Sequence, residues 1–109
     1  MYQVEFFKTP SGKDPIKDFI LSLPKDKKAK AFSCLDLLME YGHELRQPHS
    51  KKLSDYKNLF ELRTSGSSPI RFIYIVNKGV FIILNVFSKK TNKTPLKEIN
   101  LALNRIPID

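Results

Sequence analysis

The segment from Leu59 to Phe87 constrains this chain more than any other, because three β-rich runs follow one another with only short breaks between them. Leu59 to Thr64, Ile70 to Val76 and Val80 to Phe87 are separated by Ser65-Gly66-Ser67-Ser68-Pro69 and by Asn77-Lys78-Gly79, which are turn-forming clusters. They predict a three-strand meander. The last run, Val80-Phe81-Ile82-Ile83-Leu84-Asn85-Val86-Phe87, is apolar on both faces. A strand of that kind belongs at the centre of a sheet, with helices over at least one side.

The cover comes from upstream. Tyr2 to Lys8 is rich in Tyr, Val and Phe and stops at Thr9-Pro10-Ser11-Gly12, as an edge strand followed by a turn would. Asp14-Pro15 supplies an N-cap and a first-turn proline, and Ile16, Phe19, Ile20 and Leu23 keep helical spacing up to Pro24. From Lys25 onward, Lys28, Ala31, Phe32, Leu35, Leu38 and Met39 recur at three and four residues, predicting a longer second helix that Gly42 ends. The resulting hairpin lays Phe32, Leu35, Leu38 and Met39 on the sheet. Thr94-Pro95 reads as an N-cap and first-turn proline, with Glu98 in the first turn and Leu96, Ile99, Ala102, Leu103 and Ile106 marking a final helix. The order β, α, α, β, β, β, α makes an α/β chain of the α+β kind. It predicts an antiparallel-dominated sheet, an N-terminal helical hairpin and a C-terminal helix, in one domain over residues 1–109.

Charge bounds the partners. The chain carries 19 basic and 11 acidic residues, a net +8. Between Leu45 and Lys97 eleven basic residues stand against only Asp55 and Glu61, so the excess lies in the second half while the remainder is near neutral. Such a field points to a polyanion, nucleic acid or an acidic protein. A membrane is not an expected partner, since no apolar run approaches the roughly 20 residues that span a bilayer. The single Cys34 allows no intramolecular disulfide, which favours a reducing cytosol and a cytoplasmic location. Its place at the margin of the second helix's apolar stripe reads as inert packing.

Period-two alternation puts Phe60 and Leu62 on one face of their strand and Glu61 and Arg63 on the other, polar one. Arg71 shares a face with Ile73 and lies beside Arg63 if the hairpin register allows, so that two guanidiniums face one surface. Phe72 and Tyr74 point the other way, and Tyr74 reads as a core tyrosine with a hydrogen-bonded tip. Lys89-Lys90-Thr91-Asn92-Lys93-Thr94 collects three ammoniums before a helix N-terminus, as a phosphate clamp would. Plainer readings stand beside these: Glu61 and Arg63 as an exposed strand pair, the lysines as a solvated connector, and His43 and His49 as surface polar groups.

Two carboxylates in the basic segment are too few for a two-metal site, and no Walker loop, Rossmann fingerprint, CxxC or HExxH occurs. No cofactor and no metal are expected. A basic protein without metal ligands can still cleave RNA, whose 2′-hydroxyl is a built-in nucleophile that needs alignment, a base, an acid and cations around the phosphorane.

Lys52-Leu53, Leu59-Phe60-Glu61-Leu62-Arg63, Ile70-Arg71-Phe72-Ile73-Tyr74, and Phe87-Ser88-Lys89-Lys90-Thr91 with Thr94-Pro95 and Glu98 up to Ala102 follow in an order that resembles the HigB-type, phage-derived branch of the RelE/ParE toxin superfamily. The resemblance implies the toxin of a type II toxin–antitoxin system, a small RelE-like fold that enters the ribosomal A site and cleaves mRNA independently of metal. Its implied partners are a cognate antitoxin, a HigA-like helix-turn-helix protein, and operator DNA only through the toxin–antitoxin complex. It implies that Arg63, Arg71, Lys89 and Lys90 work on the RNA backbone and scissile phosphate, with Lys51, Lys52 and Lys93 as further RNA-binding positions. Glu61 matches the motif as an orienter of Arg63 or as a base. Relatives in the wider superfamily use a C-terminal tyrosine or histidine for proton transfer, whereas this chain ends Asn104-Arg105-Ile106-Pro107-Ile108-Asp109, which leaves His49 as the nearby imidazole. Two alternatives stay open at this level: a non-catalytic ParE-like toxin that binds DNA gyrase, and a plain RNA-binding module.

Overall fold

In the computed structural model, which describes residues 1–108, the chain runs β1 (Gln3–Phe6), α1 (Pro15–Leu21), α2 (Lys25–Tyr41), β2 (Ser50–Lys52), β3 (Phe60–Arg63), β4 (Ile70–Asn77), β5 (Val80–Ser88) and α3 (Leu96–Leu103). A single 3-10 turn, Gly42–Glu44, follows α2. The strands form one sheet in the order β1-β5-β4-β3-β2. The meander pairs antiparallel throughout, and β2, which the sequence did not announce, extends it antiparallel at one edge. At the other edge β1 joins β5 in parallel, Gln3 opposite Val80 and Phe6 opposite Ile83. The sheet is therefore mixed rather than antiparallel-dominated. The helical hairpin carries the chain from β1 across one face to the far edge, so β1 meets β5 without any tight turn between them. β1 is the edge strand its sequence predicts; β5 is interior, and β4 takes the central place expected of β5.

Local signals account for most element ends. The Asp14 carboxylate accepts the Lys17 N–H at 3.2 Å, and Pro15 opens α1. Gly42 ends α2 with φ 50°, and a Cβ there would stand only 2.4–2.5 Å from carbons of the Tyr2 ring. Between β4 and β5 the turn residues Lys78 (φ 51°) and Gly79 (φ 81°) both adopt the left-handed conformation that a two-residue hairpin requires.

Each face of the sheet has its own core. On the hairpin side Ile16, Ile20, Ala31, Leu35 and Leu38 pack on Leu62, Phe72, Tyr74, Phe81 and Ile83. On the other side Ile99 and Ala102 of α3 meet Ile73, Ile75, Leu84 and Phe87, with Leu53 and Leu59 at the margin. A bulge lets β5 serve both. Tyr74 faces Ile83 and Ile73 faces Asn85, so Leu84 has no partner and the alternation slips by one residue. Phe81, Ile83 and Val86 thus share the hairpin side although their numbers change parity. Phe32 corrects the expected helix face: it is 42% exposed, because the buried stripe of α2 runs through Ala31, Cys34, Leu35 and Leu38 and leaves Phe32 beside it. Met39 is half-buried at the same margin. No helix among the described residues is long and apolar enough to cross a membrane.

Candidate functional site

The eight residues of α3 are too few to cover their side of the sheet, and the uncovered part is where β3 and β4 place their charges. Glu61 stands opposite Ile73 and Arg63 opposite Arg71, so the register joins the two arginines as the sequence anticipates. Glu61 is the hub. Its Oε1 accepts from Arg63 Nη2 at 3.0 Å, its Oε2 accepts the Thr94 hydroxyl at 2.5 Å, and Arg71 Nη1 stands 4.0 Å from the same Oε2. Glu61 and Arg71 are each 1% exposed, whereas the Arg63 side chain keeps 27% of its surface in solvent. A carboxylate buried this deeply loses several kcal/mol of hydration, an order-of-magnitude cost that close cationic and hydroxyl partners offset. The exposed strand pair is excluded for Glu61 by its burial.

Arg71 requires the larger correction. Strand parity placed it on an open polar face, but the segment from Lys89 to Thr94 folds back over that face and encloses it. Arg71 Nη2 donates to the Thr91 carbonyl, while its Nε and Nη1 are buried without a hydrogen-bond partner. Burial lowers its pKa first, Glu61 opposes that shift, and Arg63 across the ladder adds to it. A guanidinium so held remains charged at any ordinary pH. Over it, Lys89, Lys90 and Lys93 are all exposed, and the Thr91 hydroxyl donates to the Lys93 carbonyl at 3.2 Å. The segment is a strap with ammoniums outside and a guanidinium beneath.

β2 adds the margin. Lys51 is opposite Glu61 and, with Lys93 and Thr94, lines a shallow groove of about 180 Å³. Lys52 is exposed and reaches both this groove and a cleft on the hairpin side. His49 is exposed, and its carbonyl accepts the Arg63 N–H at 2.8 Å, which continues the ladder one residue beyond β2 and sets His49 across from Arg63. The structure thus gathers Glu61, Arg63, Arg71 and Lys51 directly, with Lys89, Lys90 and Lys93 over them and His49 at the edge.

Thr94 was missed as a site residue. Pro95 occupies the cap position of α3, no side chain caps that helix, and Thr94, one residue early, turns its hydroxyl to Glu61. Asn85 was also missed; at the bulge it donates to the Glu98 carbonyl and to Glu98 Oε1 at 3.1 and 3.0 Å, fixing α3. Cys34 packs as expected: burial pushes its thiol up to about 12, and its S–H donates to the Arg63 carbonyl at 3.3 Å. Tyr74 likewise keeps its tip satisfied, sharing a 2.7 Å hydrogen bond with the Ser50 hydroxyl. Among the described residues no three His, Cys, Asp or Glu side chains converge as metal ligands. Chemically the site is a dense cationic surface organised on one buried carboxylate, suited to a phosphodiester.

No curated protein matches this sequence. Among solved structures, the fold is similar to a chain of the archaeal RelE-RelB complex from Pyrococcus horikoshii OT3, with 27% sequence identity, a TM-score of 0.56, and coverage of 80% of this chain and 93% of that one. The mixed α+β architecture is thus RelE-like. The family model described as phage derived protein Gp49-like matches residues 18–107, most of the length. On that match the chain belongs to the phage-derived Gp49-like family, one of the RelE/HigB-type toxin families.

Proposed function

We propose that this protein is the toxin of a type II toxin–antitoxin pair, a HigB-type endoribonuclease that cuts mRNA on the ribosome in the cytoplasm. A cognate HigA-like helix-turn-helix antitoxin neutralises it and carries the complex to operator DNA. The observation that carries the reading is the buried Glu61 carboxylate clamping Arg63 beside a lysine-bearing strap, on a fold shared with a RelE chain.

The 2′-hydroxyl of the RNA attacks the adjacent phosphorus, and the bond from phosphorus to the 5′-oxygen breaks. Arg63, Lys89 and Lys90 face the extra negative charge of the phosphorane, and Lys51, Lys52 and Lys93 hold the flanking backbone. Glu61 fixes the Arg63 fork, and Arg71 acts from beneath by holding the strap at Thr91. His49, across from Arg63, takes the 2′-proton, and the leaving 5′-oxygen is protonated from solvent. No metal-activated water is needed, because the substrate supplies the nucleophile.

The test is a defined mRNA on purified ribosomes. Cleavage leaves a 2′,3′-cyclic phosphate and a 5′-hydroxyl, a single 2′-deoxy nucleotide at the cut site abolishes it, and Arg63→Ala slows it about 100-fold. A 5′-phosphate product, or cleavage of the deoxy substrate, overturns the mechanism. Inhibition of gyrase supercoiling with intact mRNA would replace the reading by the ParE-like one.

A further inference from the structure

A second cleft, of about 480 Å³, lies on the hairpin side of the sheet, across β2 from Glu61. Its floor is aromatic. Half-buried Phe60 is the ring open to the cleft; it stacks on Tyr74 with ring centroids 5.2 Å apart and planes 15° from parallel, Tyr74 and Phe81 lie buried behind it, and His43 stands 4.9 Å from Phe81. Its rim is cationic, with Arg46, Lys51 and Lys52 and no carboxylate among the lining residues. Arg46 is exposed yet anchored, because its Nη1 donates to the carbonyls of His43 and Leu45. At the floor the Tyr74 and Ser50 hydroxyls form a buried polar pair.

We propose that this cleft binds a nucleobase of single-stranded RNA, with the Arg46 and Lys52 heads on the attached phosphate. The inference deepens the reading of the protein as a ribonuclease and rests on it for the identity of the polymer. Flat aromatic surface flanked by cations is the arrangement that holds single-stranded nucleic acid, since every base has a π-face and every linkage a charge. The volume lies within the roughly 300–1,000 Å³ of small-ligand clefts. An acidic peptide would engage the rim and leave the aromatic floor unused. Continuity with the first site is direct: Lys51 lines both the cleft and the groove beside Thr94, and β2, only three residues long, is an edge strand of the sheet. An RNA strand lying on Arg63 can round that edge and set its next base behind it.

The chain has no tryptophan, so Phe60→Trp installs its only indole in the cleft. Adenosine 5′-monophosphate at millimolar concentration quenches that emission, and inorganic phosphate does not. Calorimetry on the unmodified chain detects the same nucleotide, Phe60→Leu weakens it about tenfold by removing the stacking surface, and Arg46→Gln with Lys52→Gln weakens it severalfold. Arg63→Ala, which disables cleavage, leaves nucleotide binding intact. Absence of nucleotide binding by both measurements, equal affinity in Phe60→Leu, or quenching by phosphate alone overturns the proposal. Loss of the site in a protein that still cuts mRNA refutes the cleft alone, whereas nucleotide binding by a protein that cuts no mRNA refutes the ribonuclease reading and leaves the cleft standing.

Discussion

The hairpin face of the sheet and the α3 face share the same strands but are held together differently. On the first, Leu62, Phe72 and Ile83 disappear beneath two helices with no charged side chain among them. On the second, an apolar half under Ile99 and Ala102 adjoins an ionic half that contains both buried charges of the described residues, Glu61 and Arg71. Apolar packing is non-directional and tolerates changes that conserve volume. A buried ion pair does not tolerate the loss of one member, because the other is left charged without a partner. The short α3 thus leaves room for a site organised on the one Glu61 carboxylate, and the hairpin supplies the stability that such a site does not.

This division is open to attack by substitution. Phe72→Ala on the hairpin face is expected to cost about 3–5 kcal/mol in urea unfolding while leaving mRNA cleavage per folded molecule unchanged. A fall in the cleavage rate of the folded fraction would show that the faces are not separable. Thr94→Val, which removes the hydroxyl from Glu61, is expected to cost about 1–3 kcal/mol and to loosen the strap, so that trypsin cuts faster after Lys89, Lys90 and Lys93 in the folded protein. Unchanged cutting there would remove Thr94 from the device. Lys89→Gln with Lys90→Gln should leave the urea midpoint in place and lower the slope of log affinity against log salt by about 1.4, two single-strand phosphates at about 0.7 each. An unaltered slope would make these lysines a solvated connector after all.

Much of this was legible because strand alternation leaves a direct imprint: Phe60 and Leu62 against Glu61 and Arg63 marked the two faces of β3, and parity put Arg71 where it meets Arg63 once the register allows, as it does. Asp14-Pro15 and Gly42 marked helix ends through chemistry confined to a few residues. What escaped depends on contacts between distant segments. Arg71 looks exposed until a strap twenty residues away closes over it. Thr94 looks like a helix cap until Glu61, thirty-three residues earlier, proves the better acceptor. β2 spells Ser-Lys-Lys, with no apolar alternation to announce it, and the unpaired Leu84 hides inside a continuous apolar run.

The parallel pairing of β1 with β5 has a consequence for how the protein comes into being. Residues 3–6 find their strand partners only in residues 80–83, so the first strand synthesised waits until about three-quarters of the chain exists. Contacts so far apart in sequence form late and slowly, because the intervening loop must be closed before they contribute. A chain made only as far as residue 69 contains neither β4 nor β5 for the hairpin to rest on, and its Glu61 has neither Arg71 nor Thr94 to meet. Under the proposed function, a nascent copy therefore lacks its assembled Glu61, Arg71 and Thr94 cluster until the segment through Thr94 has been made.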